Sequence, residues 1–468
     1  MSRINTNIAS LQAIHRLNRN NADMAMRLER LSSGLRINSG KDAPAALIAS
    51  DTLRSEITGI NQAIENSERA GNVINTAEGA LSEVSALLLE IQSLTNQAAN
   101  TGALSDEEVA ANQLQVDSIL SSINRIANTT QFNGVKLLNG SLDYTTSGVS
   151  ATNFANVRVN AVRLPDNAAV NVVVAVTQSA QTGTIGYTGG TLAANNAVTV
   201  EIAGNKGTEQ ISFAGGTTVA AMVTAINAVK ASTGVSASVS GGDLRLDSTA
   251  FGARQYVSLV TISGTFVPTK AIDYGRDAAV TINGAAASAN GLSVSYRSSN
   301  LDIELELGTA FNTAGNDNFY ITGGGATFAL GSKITEPNKA SLGLASISTG
   351  RLGDNLVGYL STLGSGGANS LSSGNLVRAQ NIIDKAIKQV ANQRGRLGAF
   401  QKEILDSNIN SLSVALENVT ASESAIRDAD FASETAALTR AQILVQANTS
   451  VLAQANTSPQ NVLALLQR

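Results

Sequence analysis

The apolar side chains follow a helical pattern at the two ends of the chain and a strand pattern in the middle. Over residues 4–36 they recur at steps of three and four, which predicts an amphipathic helix with a coiled-coil stripe. The apolar positions of this stripe are Ile14, Leu17, Met24, Leu28, Leu31 and Leu35. Asn21 occupies one stripe position, where a polar side chain can fix the register of a coiled coil.

Two further helices are predicted before residue 130. One begins at Pro44, because proline fits the first turn of a helix, and continues to about Asn100. Ser105 and Glu108 have the spacing of a capping box, which predicts a third helix over about 105–128. The Asn-Gly pairs at 133–134 and 139–140 are turn signals that open a β region.

Residues 141–345 combine short strand-like stretches with many turn residues. Between Leu301 and Leu307 apolar and acidic side chains alternate, which predicts a strand with one buried face. Residues 197–246 predict the order strand, strand, helix, strand, strand, and residues 279–284 weakly repeat its beginning. We therefore expect one or two small α/β modules within this region.

The helical pattern returns at about Asn375. Apolar side chains are seven residues apart from Ile383 to Ile404, and seven apart again from Leu405 to Ile426. The second series is displaced by one residue, which we interpret as drift of the stripe around a long straight helix. The final segment, 433–468, has an apolar stripe that includes Leu444, Val451, Val462 and Leu466.

These patterns predict a mainly α protein with a β-rich insertion. The amphipathic ends can form the core of a monomer, lie on a membrane surface, or form a seam between subunits. Membrane binding needs a Lys/Arg-rich polar face opposite large aromatic residues, and the last helix has neither. Isolated helical arms are marginally stable in water, so their position at the chain ends favours the seam between subunits.

Composition argues against several classes of function. The chain has no Cys and a single His, His15, which argues against a zinc site or a histidine-based catalytic relay. Its net charge of −4 creates no strong field for nucleic acid. We find no phosphate-binding loop, no catalytic constellation, no signal peptide and no apolar run that spans a bilayer. We expect a protein that is not an enzyme, binds no cofactor or metal, and does not enter membranes.

Several motifs resemble those of bacterial flagellins. Residues 30–39, RLSSGLRINS, resemble the family's N-terminal signature, and residues 130–138, TQFNGVKLL, resemble its turn into a β-hairpin. Four motifs resemble the family's C-terminal end: DFASE at 430–434, RAQIL at 440–444, SVLAQAN at 450–456 and PQNVL at 459–463. The resemblance covers about 1–140 and 375–468, and the middle is more loosely similar to an insertion of some flagellin outer domains.

The resemblance implies a three-part fold and a structural function. Residues 1–42 and 429–468 would form an inner coiled-coil domain that lines the filament channel. Residues 43–165 and 336–428 would form a helical rod domain with a β-hairpin, and 166–335 a variable outer β-rich domain. The chain would assemble into the flagellar filament, the propeller of swimming motility. A hook–filament junction protein, or a secreted adhesin or enzyme scaffold, is the alternative.

The resemblance also implies partners and a location. The chain would bind other copies of itself, an export chaperone, and the filament cap and hook-junction proteins. It would leave the cell through the type III export apparatus without a cleaved signal peptide and become part of the extracellular filament. Neither nucleic acid nor membrane insertion is expected.

A Toll-like receptor recognises many flagellins through an Arg on the first rod helix and a Glu on the second. Alignment on residues 80–81 and 97–100 places Glu90 at the Arg position. Alignment on residues 131–134 places Gln115 at the Glu position, and Leu94 matches the family's apolar contact. Because an acidic residue replaces a basic one, we expect weak activation of this receptor.

Overall fold

The computed structural model describes residues 6–100, 102, 104–164 and 168–466, with backbone only for 458–466. Terminal helices flank a β-rich central region. The helices are α1 Ile8–Ser33, α2 Pro44–Ala98, α3 Asp106–Thr129, α4 Val219–Ala228, α5 Lys230–Thr233, α6 Leu376–Ala399, α7 Ser407–Arg427 and α8 Phe431–Leu466.

The strands up to residue 263 are β1 Gln131–Phe132, β2 Val135–Lys136, β3 Tyr144–Ser147, β4 Phe154–Val162, β5 Val170–Gln178, β6 Thr184–Tyr187, β7 Val198–Gly204, β8 Thr208–Phe213, β9 Val235–Ser240, β10 Asp243–Ser248 and β11 Tyr256–Ser263. Those that follow are β12 Ile272–Tyr274, β13 Ala279–Ile282, β14 Ala285–Ala286, β15 Ser288–Asn290, β16 Ser293–Arg297, β17 Leu301–Leu307, β18 Gly315–Gly324, β19 Ala326–Ala329, β20 Lys339–Leu342, β21 Gly353–Asp354 and β22 Gly358–Tyr359.

The chain divides into two compact units. Unit 1 comprises Met1–Glu68, Ala329–Asn338 and Leu405–Arg468, and unit 2 comprises Arg69–Phe328 and Lys339–Ile404. These boundaries differ from the expected division into three domains, which stays a prediction.

In unit 1 the first helix packs against the last one. The side chain of Asn7 caps α1 by accepting a hydrogen bond from the Ser10 backbone N–H. Gly34 ends the helix with a positive φ of 74°, a conformation that glycine adopts without steric cost. The chain then pairs with the segment before α8, where Arg36 donates its N–H to Arg427 and Gly34 accepts one from Ala429.

The helical part of unit 2 has a continuous apolar core. The predicted capping box of α3 is confirmed, since the Ser105 and Glu108 side chains each bond the other residue's backbone N–H. Polar side chains link α2 to α6: Gln92 donates to Asp384 at 2.9 Å, and Arg394 donates to Glu78 at 2.7 Å. The buried helical residues are Ile74, Ala77, Leu81, Val84, Leu88, Ile91, Val116, Ile123, Ala379, Ile382, Ile383, Ala386, Val390 and Leu397.

Two antiparallel sheets of unit 2 share one apolar core. Their strand orders are β14-β13-β5-β18-β3 and β15-β16-β17-β4. The predicted alternation at Leu301–Leu307 is confirmed, because the apolar side chains of β17 are buried and its acidic ones are only partly exposed. The segment that weakly repeats residues 197–204 forms β13 of the first sheet, so it does not begin a second α/β module.

A separate module is inserted between β5 and β13. Its sheets have the orders β6-β10-β9 and β12-β11-β7-β8, and α4 packs against their shared core. The predicted strand–strand–helix–strand–strand order is therefore confirmed in β7, β8, α4, β9 and β10. Gln181 and Arg276 exchange two backbone hydrogen bonds of 2.8 and 2.9 Å, so the module leaves and rejoins the sheet core at neighbouring positions.

The predicted drift of the C-terminal apolar stripe is wrong. A seven-residue π-helix, Phe400–Asp406, joins α6 to α7. Leu397 is buried, and the next buried position of the series is Leu405, while Ile404 is 41% exposed. A π-turn accommodates one extra residue in a helix, so the one-residue displacement in the sequence marks a local bulge.

Candidate self-assembly surfaces

The α1–α8 pair has a narrow internal stripe. On α1 the buried and half-buried positions step by three and four through Ala13, Leu17, Asn20, Met24, Arg27 and Leu31. The corresponding positions of α8 are Glu434, Leu438, Ala441, Val445, Asn448, Leu452 and Ala455. Small residues occur in both lists, namely Ala13 on α1 and Ala441 and Ala455 on α8.

Ionic and polar contacts fix the register of this pair. The Arg27 guanidinium donates to Glu434 at 2.9 Å and Arg30 donates to the same carboxylate at 3.1 Å. Burial alone raises the pKa of Glu434, but hydrogen bonds from the two arginines outweigh it and lower that pKa. Near the other end, the Asn7 side chain donates to the Ala455 carbonyl at 2.8 Å. These contacts hold the two helices in one alignment.

Outside the internal stripe, both helices expose large apolar side chains. On α1, Ile8 and Leu11 are each 53% exposed. On α8, Ile443 is 62% and Val451 is 56% exposed. Exposed apolar side chains arranged along a helix are typical of surfaces that another protein covers.

The predicted seam residues fall into two groups. Leu17, Met24 and Leu31 are half-buried and lie on the stripe of α1 that faces α8, and Leu35 is half-buried just beyond the helix. The exposed group is Ile14, Leu28, Leu444 and Val451. The side chains of Val462 and Leu466 lie outside the described residues. One part of the predicted seam thus lies on the internal stripe, and the exposed part is open to other molecules.

Sequence reasoning missed several residues of both faces. Val445 and Leu452 lie on the internal stripe, one position after the predicted Leu444 and Val451. Ile8, Leu11, Phe431 and Ile443 are exposed and belong to the open faces. The signal was present as two adjacent apolar stripes on each helix, which a search for a single coiled-coil stripe does not separate. Unit 2 has further exposed apolar residues on its helices, namely Leu89, Leu114 and Val377.

The receptor-related positions differ in exposure. Glu90 of α2 and Gln115 of α3 are exposed and make no side-chain hydrogen bond within the described part of the chain. Leu94 is only 8% exposed, so its side chain packs inside the subunit. The two polar positions are thus accessible to a partner, and the apolar one is largely covered.

Two general features bear on membranes and metals. Within the described ranges, no helix is both long enough and apolar enough to cross a bilayer. The same part of the structure contains no group of three or more His, Cys, Asp or Glu residues that could hold a metal ion.

Comparisons with known proteins agree over the whole length of the chain. Profiles described as the bacterial flagellin N-terminal helical region, the flagellin hook IN motif and the bacterial flagellin C-terminal helical region match residues 4–143, 199–250 and 380–466. B-type flagellin of Pseudomonas aeruginosa is 32% identical over 524 residues, with 99% of each chain covered. Flagellin B of Vibrio cholerae is 29% identical over 479 residues at the same coverage.

Among solved structures, FliC from Burkholderia pseudomallei is 19% identical to this chain. The match covers 71% of this chain and 98% of that chain, with a TM-score of 0.25.

Proposed function

This chain belongs to the bacterial flagellin family and is a structural subunit of the extracellular flagellar filament, and we propose that the open faces of α1 and α8 join neighbouring subunits. The observation that carries this proposal is the exposure of apolar side chains on two helices that already pair through their internal stripes.

The energetics support this assignment. Burying a Leu, Ile or Val side chain contributes roughly 1.5–3 kcal/mol. Seven such side chains are 40–62% exposed on the two helices: Ile8, Leu11, Ile14, Leu28, Ile443, Leu444 and Val451. Their burial would therefore contribute on the order of 10 kcal/mol, comparable to the ~4–15 kcal/mol that association costs. A contact between two different faces that does not close on itself produces a helical polymer.

Assembly and ordering of the helical arms are coupled in this account. Fixing the backbone costs about 1–2 kcal/mol per residue, and a two-helix pair with few large buried side chains offsets little of that cost. In α1 the one buried residue is Ala13 among those described. The arms would therefore gain most of their stability from neighbouring subunits.

We propose the division into three domains that the resemblance to flagellins implies. Residues 1–42 and 429–468 would form the inner channel-lining domain, 43–165 and 336–428 the rod domain, and 166–335 the outer domain. Val462 and Leu466 would continue the seam of Leu444 and Val451. The protein would act structurally and catalyse no reaction.

We also propose the partners that filament assembly requires. An export chaperone would bind the chain before export, and the type III export apparatus would carry it out of the cell unfolded and without cleavage of a signal peptide. The filament cap and hook-junction proteins would contact the subunits at the two ends of the filament.

A truncation tests the role of α8. Deleting the last 30 residues removes the exposed Leu444 and Val451 together with the expected seam residues Val462 and Leu466. We expect the truncated protein to remain monomeric in sedimentation experiments, while the sheets and helices of unit 2 stay resistant to proteolysis. Filaments of normal length from the truncated protein would contradict the proposal.

A further inference from the structure

Unit 2 contains a polar cavity lined by residues outside α1 and α8. Its volume is about 540 Å³, and it lies between the strands β3 and β4 and the segment 345–359. Hydroxyl, amide and guanidinium groups line much of it, including those of Thr146, Asn156, Arg158, Ser346 and Arg351. A cavity of this size is large enough for a small molecule, since ligand sites commonly measure ~300–1,000 Å³.

The two arginines that line this cavity, Arg158 and Arg351, form no salt bridge with the residues that the structure describes. Arg158 is half-buried in β4, and its guanidinium forms no hydrogen bond or salt bridge with the described residues. Burial lowers the pKa of Arg158, and the negative charges of Glu304 and Asp143 only partly oppose this effect. A desolvated guanidinium without a partner is costly, so the site favours a bound anion.

A second guanidinium interacts with Arg158, although it does not line the cavity. Arg396 of α6 has its Nε and Nη1 atoms buried without a hydrogen-bond partner. Its pKa is lowered first by burial and then by the nearby charge of Arg158. The repulsion between the two guanidiniums adds to the cost of leaving Arg158 without an anion.

One carboxylate lies among these arginines without neutralising them. The Asp143 carboxylate lines the cavity and accepts a hydrogen bond from the Tyr144 N–H at 2.8 Å. Burial raises the pKa of Asp143, although that hydrogen bond and the charges of Arg158, Arg351 and Arg396 oppose the rise. The charged groups that line the cavity are thus the guanidiniums of Arg158 and Arg351 and the Asp143 carboxylate, which gives the lining a net positive charge.

We propose that this cavity binds a carboxylated sugar, with a uronic acid as the simplest representative. The guanidinium groups of Arg158 and Arg351 match the planar geometry of a carboxylate. The surrounding hydroxyl and amide groups suit a ligand that carries many hydroxyl groups. A bare inorganic anion would occupy only a small part of the volume.

The proposal is tested by titrating the full-length monomer with three probes in a calorimeter. D-glucuronate carries the carboxylate and the hydroxyl groups, D-glucose carries the hydroxyl groups alone, and inorganic phosphate carries the charge alone. We expect saturable binding of glucuronate and at least about tenfold weaker binding of both other probes, because each lacks part of the recognised chemistry.

Two variants with the same change of charge separate the site from general electrostatics. Arg351→Gln removes an exposed guanidinium that lines the cavity, so the fold should tolerate it. Arg254→Gln removes an exposed guanidinium of the inserted module that does not line it. We expect Arg351→Gln to weaken glucuronate binding about tenfold or more, and Arg254→Gln to leave it unchanged. Equal thermal midpoints of the two variants verify that both are folded.

Several results would overturn the proposal. Equal affinity for glucuronate and phosphate would exclude sugar recognition, and equal affinity for glucuronate and glucose would exclude the role of the arginines. Equal weakening by the two variants would show that only net charge matters. If no probe binds, the proposal is wrong. A block of polymerisation by Arg351→Gln would then indicate that the cavity receives an acidic side chain of a neighbouring subunit.

Discussion

The Glu434 carboxylate lies 2.9 Å from the Arg27 guanidinium, which joins α8 to α1 across 407 residues of sequence. Arg30 contacts the same carboxylate at 3.1 Å. Glu434 is 7% exposed, so the ion pair is largely shielded from solvent. Removing this carboxylate would leave Arg30 without a charged partner and Arg27 with Asp23 alone, and it would remove the only charged link described between these helices.

Filament stability should therefore depend on pH through Glu434. Its pKa lies below the ordinary 4.5, so its contribution is present above pH 4.5 and is lost as the pH falls through the lowered value. At pH 7 we expect Glu434→Gln to destabilise the filament by about 1–3 kcal/mol per subunit. The midpoint temperature of filament dissociation, followed by light scattering, measures this effect.

The difference between Glu434→Gln and the unmodified protein should shrink as the pH falls below 4.5. Glu417→Gln is the matched control, because Glu417 is exposed on α7 and should have no effect at either pH. An equal effect of Glu434→Gln at both ends of the pH range would show that the carboxylate charge is not involved.

The inserted module should be removable. Because Gln181 and Arg276 are paired neighbours, replacing residues 182–275 with a short Gly/Ser linker closes the gap without strain. We expect this variant to fold and to polymerise, as judged by circular dichroism and sedimentation.

A longer deletion, of residues 180–330, is the informative contrast. It also removes β13, β16, β17 and β18, which share the core of β4 and β5. Buried side chains such as Val172, Val174 and Phe154 would then be exposed to water. We expect this protein to aggregate, and a well-folded product would mean that the two sheets do not depend on each other.

The π-helix should be dispensable for folding. Deleting Lys402, whose side chain is 82% exposed, restores a seven-residue spacing between Leu397 and the residue now numbered 405. We expect the helix to become continuous and the thermal midpoint to change little. Deleting the exposed Asn392 instead moves buried Leu397 out of register, at a cost of about 2–5 kcal/mol. If the two deletions destabilise the protein equally, the claim that the π-helix bulge causes the displacement of the apolar stripe is wrong.

Receptor activation by the monomer should be weak. Glu90 stands where the resemblance to flagellins implies a basic contact, and it is exposed. Reversing a charge at an interface commonly costs about 2 kcal/mol or more, roughly thirtyfold in affinity. We expect Glu90→Arg combined with Gln115→Glu to restore part of the activity in a Toll-like receptor reporter assay. Potent activation by the unmodified monomer would refute this expectation.

The sequence predicted the elements better than it predicted how they pack. Helix positions were recoverable because capping residues and apolar periodicity act locally, as at Ser105 and Pro44. The strand at Leu301–Leu307 was recoverable because one of its faces is buried and the other is acidic. The pairing of Ala279–Ile282 with β5 could not be predicted from the sequence, because two strands about a hundred residues apart leave no local signal of their pairing.

The assembly surface shows the same limit. Leu444 and Val451 were identified as apolar positions, yet the residues that lie on the internal stripe are Val445 and Leu452, one position further on. Both stripes are apolar, so hydrophobicity alone cannot tell which one is used inside the subunit and which one is open. The ion pair of Glu434 with Arg27 helps to set which stripe of α8 faces α1, and its two residues come from opposite ends of the chain.

The central claim is that subunits join through the open faces of α1 and α8. Negative-stain electron microscopy of the protein under polymerising conditions tests it most directly, with Leu444→Ser/Val451→Ser as the test variant and Gln446→Ser/Thr449→Ala as the control. All four positions are exposed on α8, so neither variant should disturb the α1–α8 pair. We predict long filaments from the unmodified and control proteins and none from the test variant. Filaments of normal length from the test variant, or only soluble monomers from the unmodified protein, would contradict the account.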